Sequence, residues 1–242
     1  MRFGDTSVLR KVSLEVAPRE CVVLIGPSGT GKTVVLKLLA GLVPPTEGQV
    51  LVAGQDLHAV PPMRQRQLLF QMGMLFQKNA LFDSLTVGEN IAFPLREMTP
   101  LSEGVIQKRI GEYLEAVGIA HARDLYPDEI SGGMQKRLGI ARALALEPRM
   151  VLYDDATAGL DPITSRRIVE LILQLRKKNK STVVAVTNDM ARAYQMADRI
   201  AMVVDGKIIV TGNKEQTLAC TDPRVAQFVR GRLEGPLTEA NA

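Results

Sequence analysis

A glycine-rich segment at 26–33, GPSGTGKT, limits most strongly what this chain can fold into. It follows the apolar run CVVLI and opens the amphipathic stretch KTVVLKLLAG, so it lies between a predicted strand and a predicted helix. In that context the pattern GxxxxGKT is typical of a loop that wraps phosphate groups. Its glycines allow backbone geometries that side chains would block, and successive N–H groups then converge at the positive end of the helix. The chain is therefore expected to bind phosphates.

Individual residues of this loop have predicted tasks. Lys32 is expected to reach the β and γ phosphates of a nucleotide, and the Thr33 hydroxyl is expected to bind Mg²⁺. The predicted phosphate contacts are Gly26, Pro27, Ser28, Gly29, Thr30, Gly31, Lys32, Thr33 and Val34. A second acidic element is expected from another strand, and the run MVLYDD supplies it. It places Asp154 at the carboxyl edge of the sheet, where ligands bind in open α/β sheets, so the two elements indicate a nucleoside triphosphate site with Mg²⁺.

Short apolar runs alternate with longer amphipathic stretches along most of the chain, which is typical of an α/β fold with a mostly parallel sheet. Strands are predicted over 12–16, 21–26, 49–53, 72–77, 150–155, 182–187, 200–204 and 207–211. Helices are predicted over 32–41, 64–70, 87–97, 103–117, 133–146, 164–178, 190–196 and 214–219. Asp205-Gly206 predicts a tight hairpin turn between the last two strands.

The alternation stops between about 83 and 148, where the pattern is purely helical. This stretch is predicted to be an inserted helical subdomain, with the nucleotide-binding core formed by about 1–82 and 149–230. The polar ending at 231–242 contains Gly and Pro and is predicted to be a loosely held tail.

Composition excludes several classes of protein. The 242 residues, 46% of them hydrophobic, suffice for one substantial core, but no apolar run approaches the ~20 residues needed to span a bilayer. The start of the chain lacks the apolar segment of a secretory signal, and its two cysteines have no paired spacing, so a cytoplasmic protein is expected. With no basic run longer than three and 4% aromatic residues, nucleic acid is not an expected partner. Two histidines far apart make a zinc site improbable.

A second glycine turn, ISGGMQKR at 130–137, starts another predicted helix. Ser131 is a good N-cap, and the two glycines after it leave N–H groups bare for an anion. Because the chain already has one phosphate loop, this turn is expected to face the nucleotide held by another copy.

The motifs together resemble those of the ATP-binding-cassette ATPases and occur in that family's order over essentially the whole chain. They are GPSGTGKT, the glutamine of MLFQ, SGGMQ, VLYDD, AGLD and VTND. The resemblance implies a RecA-like P-loop NTPase core with an antiparallel β subdomain and a helical subdomain. It also implies that two chains close head to tail around two ATP molecules, with Ser131, Gly132, Gly133 and Gln135 completing the partner's site.

The same resemblance assigns roles to five further residues. Phe3 would stack on adenine, with a simple core aromatic as the alternative, and Gln77 would touch Mg²⁺ and the attacking water. Asp161 would cross the dimer interface. Asp155 and Asn188 stand where the family usually has a glutamate that polarises water and a histidine that senses the γ-phosphate.

Three segments are similar to one branch of the family, the ATPases of Mla-type lipid-transport complexes that work with Mce-domain proteins. They are LFQKNALFDSLTVGENIAFPLRE, GLDPITS and DPRVAQFVRGRLEGPL. The implication is a homodimer or paired ATPase beneath two integral-membrane permease subunits, at the cytoplasmic face of the inner membrane, moving phospholipid or another hydrophobic lipid between bacterial membranes. The residues expected to line the permease groove, with the core as their alternative location, are Leu81, Phe82, Ile91 and Phe93.

The two departures from the family pattern predict slow hydrolysis with intact ATP binding. Asp155 is one methylene shorter than glutamate, a retreat on the order of 1 Å, and such a misplacement can cost ~10²-fold in rate. Asn188 can bond a phosphate but cannot carry imidazolium charge. The alternative is a backbone shift that lets Asp155 reach. Only two residues precede Phe3, where family members usually have a strand, so the β subdomain is expected either to lack that strand or to have it outside this sequence.

Two other functions stay open, a polar-solute importer and a nucleotide-gated binding module with negligible hydrolysis. A DNA-repair cassette is a third class, but its members, by resemblance, carry long insertions that this chain lacks.

Overall fold

The computed structural model describes residues 1–239, and these residues form two compact units. The first unit contains 1–61 and the chain from Thr182 onward, and the second contains Pro62–Ser181. The division differs from the predicted core and helical insert, because strands 72–75 and 150–154 group with the helices of the second unit.

Four sheet strands in the order β10-β9-β3-β8 form the centre of the first unit. Its strands are β3 (Cys21–Ile25), β8 (Thr182–Val186), β9 (Arg199–Val204) and β10 (Lys207–Gly212). β3 is parallel to both neighbours, and its side chains are fully buried, as a central strand of an apolar run requires. β9 and β10 form an antiparallel hairpin, and Asp205 and Gly206 have φ of 50° and 70°. Positive φ at both positions suits the predicted tight turn.

Two antiparallel ribbons represent the predicted β subdomain of this unit. β1 (Arg2–Phe3) pairs with β2 (Thr6–Ser7), and β4 (Leu51–Val52) pairs with β5 (Gln55–Asp56). The helices of the unit are α1 (Lys32–Leu39), α7 (Met190–Met196), α8 (Lys214–Leu218), α9 (Pro223–Arg230) and α10 (Pro236–Glu239).

The second unit consists of two parallel strands and five α-helices. β6 (Met72–Leu75) pairs with β7 (Met150–Asp154). The helices are α2 (Pro62–Leu69), α3 (Val87–Met98), α4 (Glu103–Ala116), α5 (Gly132–Leu144) and α6 (Pro162–Asn179), with short 3₁₀ turns at Ala120–Ala122 and Pro127–Glu129. Residues 83–148 are all described and contain no strand, as predicted. α5 lies so close to β6 that a Cβ on Gly73 would come 2.0 Å from the Ala143 carbonyl oxygen.

Two predictions about local structure are wrong. Residues 12–16 alternate in burial but form no strand, because alternation alone does not supply a partner for the backbone. The ending at 231–239 is not a loose tail, because the buried side chain of Gln227 holds it. The Gln227 amide accepts a hydrogen bond from Leu237 N (2.8 Å) and donates to the carbonyl of Arg232 (3.3 Å). The rest of that predicted tail, 240–242, lies outside the described residues.

Helix α9 was not predicted, although Asp222 caps its start and Gly231, at φ 61°, ends it. Within 1–239 the longest apolar helical stretch falls short of what a bilayer crossing requires.

Candidate nucleotide site

The loop between β3 and α1 contains two glycines, Gly26 and Gly31, that combine positive φ with close neighbours. Gly26 has φ 135°, and a Cβ on it would lie 2.3 Å from the Val203 carbonyl oxygen. Gly31, at φ 100°, is the N-cap of α1, and no side chain caps this helix start. Its first N–H groups are therefore presented by the backbone alone, as in loops that bind anions.

Lys32 supplies the positive charge of this loop. Its side chain is buried, and Nζ donates hydrogen bonds of 2.7 Å to the carbonyl oxygens of Gly26 and Pro27. The Thr30 hydroxyl also donates to the Pro27 carbonyl, at 2.9 Å. A buried ammonium among backbone groups at a helix start fits the phosphates of a nucleotide.

Asn188 belongs to the same edge of the same sheet. It follows β8, which is the parallel neighbour of β3, and Thr187 N donates to the Leu24 carbonyl at 3.1 Å. The Asn188 side chain is exposed at this edge. The structure thus brings Asn188 and the phosphate loop, which are over 150 positions apart in the sequence, to adjacent strand ends.

Phe3 lies in β1 and is 48% exposed. The alternative that it is a core aromatic is therefore wrong. An exposed ring on a short ribbon is open to stacking, which remains a prediction.

Asp154 and Gln77 lie at the same end of the two parallel strands of the second unit. Asp154 is the last residue of β7 and is buried, and Leu75 of β6 is in register with Tyr153. Gln77 and Asp155 therefore leave the two parallel strands at the same level, with the Gln77 side chain exposed. Carboxylate and amide oxygens are ligands that suit Mg²⁺.

The backbone at Asp155 is left-handed, with φ 48°. Aspartate tolerates this conformation better than most residues with a side chain. The backbone therefore leaves the strand direction at Asp155, and the alternative of a backbone shift that lets Asp155 reach stays a prediction.

Lys136 is a site residue that the sequence did not reveal. It lies on α5, is 4% exposed, and its Nζ donates to the backbone carbonyl of Gln77. Burial lowers the pKa of Lys136, while the charges of Asp155 and Asp154 raise it, and burial prevails. A buried cation thus lies within electrostatic reach of both acids. Its position five residues after Ser131 in the same predicted helix was the one indication in the sequence.

The start of α5 differs from the start of α1. The Ser131 hydroxyl accepts a hydrogen bond from Met134 N at 3.3 Å, which confirms it as the N-cap. Gly132 is exposed, and a Cβ on it would meet nothing within 4 Å, whereas one on Gly133 would lie 3.3 Å from Thr164. The Gln135 amide donates to the Pro127 carbonyl at 2.8 Å, so this side chain is held within its own chain.

Asp161 caps α6. Its carboxylate accepts hydrogen bonds from Ile163 N (2.9 Å) and Thr164 N (3.0 Å), and hydrogen bonding to Thr164 lowers the pKa of Asp161. Capping gives this exposed carboxylate a structural role inside the chain, and a role across a dimer interface remains a prediction.

The predicted permease groove is only partly exposed. Phe82 and Phe93 are 41% and 42% exposed and their ring centroids lie 4.8 Å apart. Leu81 is half-buried. Ile91 is fully buried, so its assignment to the groove is wrong; it faces inward from α3 and belongs to the core.

Comparisons with known proteins agree with this geometry. The family model described as "ABC transporter" matches residues 9–158. The chain is 38% identical to the intermembrane phospholipid transport system ATP-binding protein MlaF of Haemophilus influenzae, over 97% of this chain and 89% of that protein. It is 37% identical to the probable ribonucleotide transport ATP-binding protein mkl of Mycobacterium leprae, over 97% of this chain and 68% of that protein.

Solved structures are similar as well. The dimeric ATP-binding cassette MJ0796 in a post-hydrolysis state with ADP and Pi has a TM-score of 0.77 and 32% identity, over 83% of this chain and 88% of that one. The protein cbiO1 of Clostridium perfringens, part of the ABC transporter complex cbiONQ, has a TM-score of 0.80 and 27% identity, over 93% and 89% of the two chains. The mostly parallel α/β fold is therefore that of known nucleotide-binding cassettes.

Proposed function

This chain belongs to the ABC transporter family of ATPases, and we propose that it is the ATP-hydrolysing subunit of a transporter that moves phospholipid through a partner permease. The observation that carries the proposal is the uncapped glycine turn of α1 with the buried ammonium of Lys32 inside it. Such a turn favours a polyphosphate over any neutral ligand.

Mg-ATP is the proposed ligand. Backbone N–H groups of the loop 26–33 and Lys32 would hold the phosphates, and the family pattern implies that oxygens of Thr33, Asp154 and Gln77 would hold Mg²⁺. When bound, Mg²⁺ supplies charge neutralisation at the phosphates. Asp155 orients the attacking water, and Asn188 hydrogen-bonds the terminal phosphate.

A second copy of the chain is the proposed partner of the Ser131 turn. Among residues 1–239 nothing lies within 4 Å of a Cβ added to Gly132, and glycine is a poor helix former, so this part of the chain gives no reason for glycine at this position. A phosphate bound by a second copy would explain the glycine, because it could approach the backbone closely only where no side chain stands in the way. The dimeric state of the MJ0796 cassette supports a homodimer here.

Phospholipid is the proposed cargo class because the MlaF relatives are named for intermembrane phospholipid transport and match nearly the whole chain. Integral-membrane permease subunits and an Mce-domain protein are the proposed partners, and the cytoplasmic face of the inner membrane is the proposed location. The exposed pair Phe82 and Phe93 is the proposed contact with a permease helix. A polar cargo is the second candidate, because the mkl relatives are named for ribonucleotide transport.

Equilibrium binding of Mg-ATP to the purified chain tests the nucleotide site. Lys32→Ala is expected to weaken binding at least 100-fold, because the loop loses the cation that offsets the phosphate charge. Lys37→Ala is the matched control, since Lys37 lies on the same helix but is exposed, and it is expected to bind normally. Equal affinity of the two variants would contradict the assignment.

Isolation of the chain with its membrane partners tests the cargo. Complexes reconstituted into vesicles are expected to hydrolyse ATP coupled to movement of a fluorescent phospholipid between bilayers. Uptake of nucleotides or other polar solutes, with no lipid movement, would favour the second candidate.

A further inference from the structure

One face of α5 lies against the loop that connects β6 to α3, residues 76–86. Lys136, Gly139 and Arg142 follow each other at three-residue spacing, which places them on the same side of the helix. Lys136 bonds the Gln77 carbonyl, and a Cβ on Gly139 would come 3.7 Å from Cβ of Asn79. Arg142 contacts the part of the loop nearest the exposed aromatic pair. These contacts all lie within the second unit.

Arg142 makes three contacts with this region. One guanidinium nitrogen, Nη2, donates to the carbonyl oxygen of Asn79 at 2.9 Å, and the other, Nη1, lies 3.4 Å from Oδ1 of Asn90. Its Cζ lies 5.5 Å from the centroid of the Phe82 ring, within the range of a cation–π interaction. The planar fork thus holds two points of the loop and the start of α3 at once.

Asn90 completes the connection. It is fully buried, and its amide donates to the carbonyls of Phe82, Leu85 and Thr86 at 3.1, 3.0 and 3.0 Å. Its Oδ1 accepts a hydrogen bond of 2.9 Å from Phe82 N. The loop around Phe82 is therefore fixed from two sides, by Arg142 and by Asn90.

The chemistry of Arg142 suits this task rather than an ion pair. Burial lowers its pKa, and in the described part of the chain no acidic neighbour raises it. Its charge is met by a carbonyl, an amide oxygen and an aromatic face. Lysine would keep the charge but would lose the planar fork that reaches these groups together.

From this geometry we propose that Arg142 is a positioning residue that makes the 76–86 loop and α5 move as one body. The proposal rests on the proposed function in two respects, that a permease contacts this loop and that the Ser131 turn serves a second copy's nucleotide. Arg142 lies eleven residues after Ser131 on the same helix, about 16 Å along its axis. A displacement of Phe82 would then reach that turn through α5.

Arg142→Lys tests the proposal in the complex isolated with its permease. Mg-ATP affinity and hydrolysis by the chain alone are expected to stay within twofold, while the permease-stimulated rate falls at least fivefold. Arg137→Lys is the matched control, because Arg137 is on the same helix and bonds the Val117 carbonyl at 3.2 Å instead of the loop. It is expected to keep the stimulation. Full stimulation of Arg142→Lys overturns the proposal, and so does a parallel loss of the basal and stimulated rates, which indicates a purely structural role.

Hydrogen exchange on the chain alone provides a test that needs no permease. Arg142→Lys is expected to speed amide exchange in 79–85 and in the first turn of α5 together. Faster exchange in the loop alone overturns the proposal. Failure of the unaltered chain to bind Mg-ATP would instead reject the proposed function and leave the exchange result to be judged by itself.

A second variant covers the case in which Arg142→Lys does not fold. Ala80 is exposed and left-handed, with φ 50°, so Ala80→Gly relieves strain and loosens the loop without removing a contact. Reduced stimulation at an unchanged Tm supports the proposal, and undiminished stimulation counts against it.

Discussion

The starts of α1 and α5 both carry glycines, but the glycines exist for different reasons. At α1, Gly26 and Gly31 have positive φ and leave no room for a Cβ, so the protomer's own fold requires them. At α5, Gly132 has open space beside it and a serine caps the helix. The start of α1 also contains Lys32, which is buried and bonded to carbonyls of its own loop. The start of α1 thus has its cation within the chain, whereas the start of α5, by our proposal, serves a nucleotide held by a second copy.

The largest expected effect is on folding. Gly26→Ala is expected to reduce the free energy of unfolding by about 3 kcal/mol or more, because its Cβ would collide with the backbone at Val203 and its φ suits only glycine. Gly29→Ala is the control, since Gly29 has φ 78° but open space, and about 1–2 kcal/mol is expected for it. Urea denaturation measures both, and equal losses would show that crowding at Gly26 is unimportant.

The next largest expected effect is on the rate of ATP hydrolysis. It concerns the two residues at strand ends that depart from the family pattern, Asn188 in the first unit and Asp155 in the second. The double change Asp155→Glu with Asn188→His is expected to accelerate steady-state hydrolysis by roughly ten- to 100-fold. Mg-ATP affinity should change little, because the loop 26–33 is unaltered and histidine, like asparagine, can hydrogen-bond the terminal phosphate. An unchanged rate would reject slow hydrolysis as a consequence of these residues.

Gly132→Ala tests directly whether the glycine at the start of α5, unlike those at the start of α1, is dispensable for folding. The free energy of unfolding should stay within about 0.5 kcal/mol, since the new methyl group meets nothing in the protomer. ATP-dependent dimerisation and hydrolysis are expected to fall about tenfold, because the methyl occupies the space for the partner's phosphate. Gly104→Ala is the control: Gly104 is also in a first helical turn with open space, and normal hydrolysis is expected. Normal hydrolysis by Gly132→Ala would undermine the proposed role of this turn.

The smallest expected effect is the loss in free energy of unfolding when the N-cap of α5 is removed. Ser131→Ala removes a hydrogen bond of 3.3 Å to Met134 N and should cost about 0.5–1 kcal/mol in urea denaturation. Thr86→Ala, which breaks the reciprocal capping of α3 with Glu89, should cost at least as much. A much larger loss at Ser131 would mean that the second turn, like the first, is required by the fold.

Local patterns predicted most of the elements, and two of the failures, at 12–16 and at Ile91, share one cause. The centres of β3, β7, β8 and β9 were predicted because continuous apolar runs indicate buried strands. Residues 12–16 have the alternation of a strand, but a strand also needs a neighbouring backbone, which no local pattern reveals. Ile91 was assigned to an exposed groove because spacing along the chain does not tell which side of α3 faces inward.

The phosphate loop follows from local sequence, since the conformational freedom of glycine and the position of Lys32 at a helix start act over a few residues. The same is true of the acidic end of β7 and the cap at Ser131. The side chains that support these elements, in contrast, are set by tertiary packing. Lys136 reaches a carbonyl 59 positions away and Arg142 one 63 positions away. Contacts at such separations depend on how helices and strands pack, because packing brings together residues whose local sequences are independent of each other.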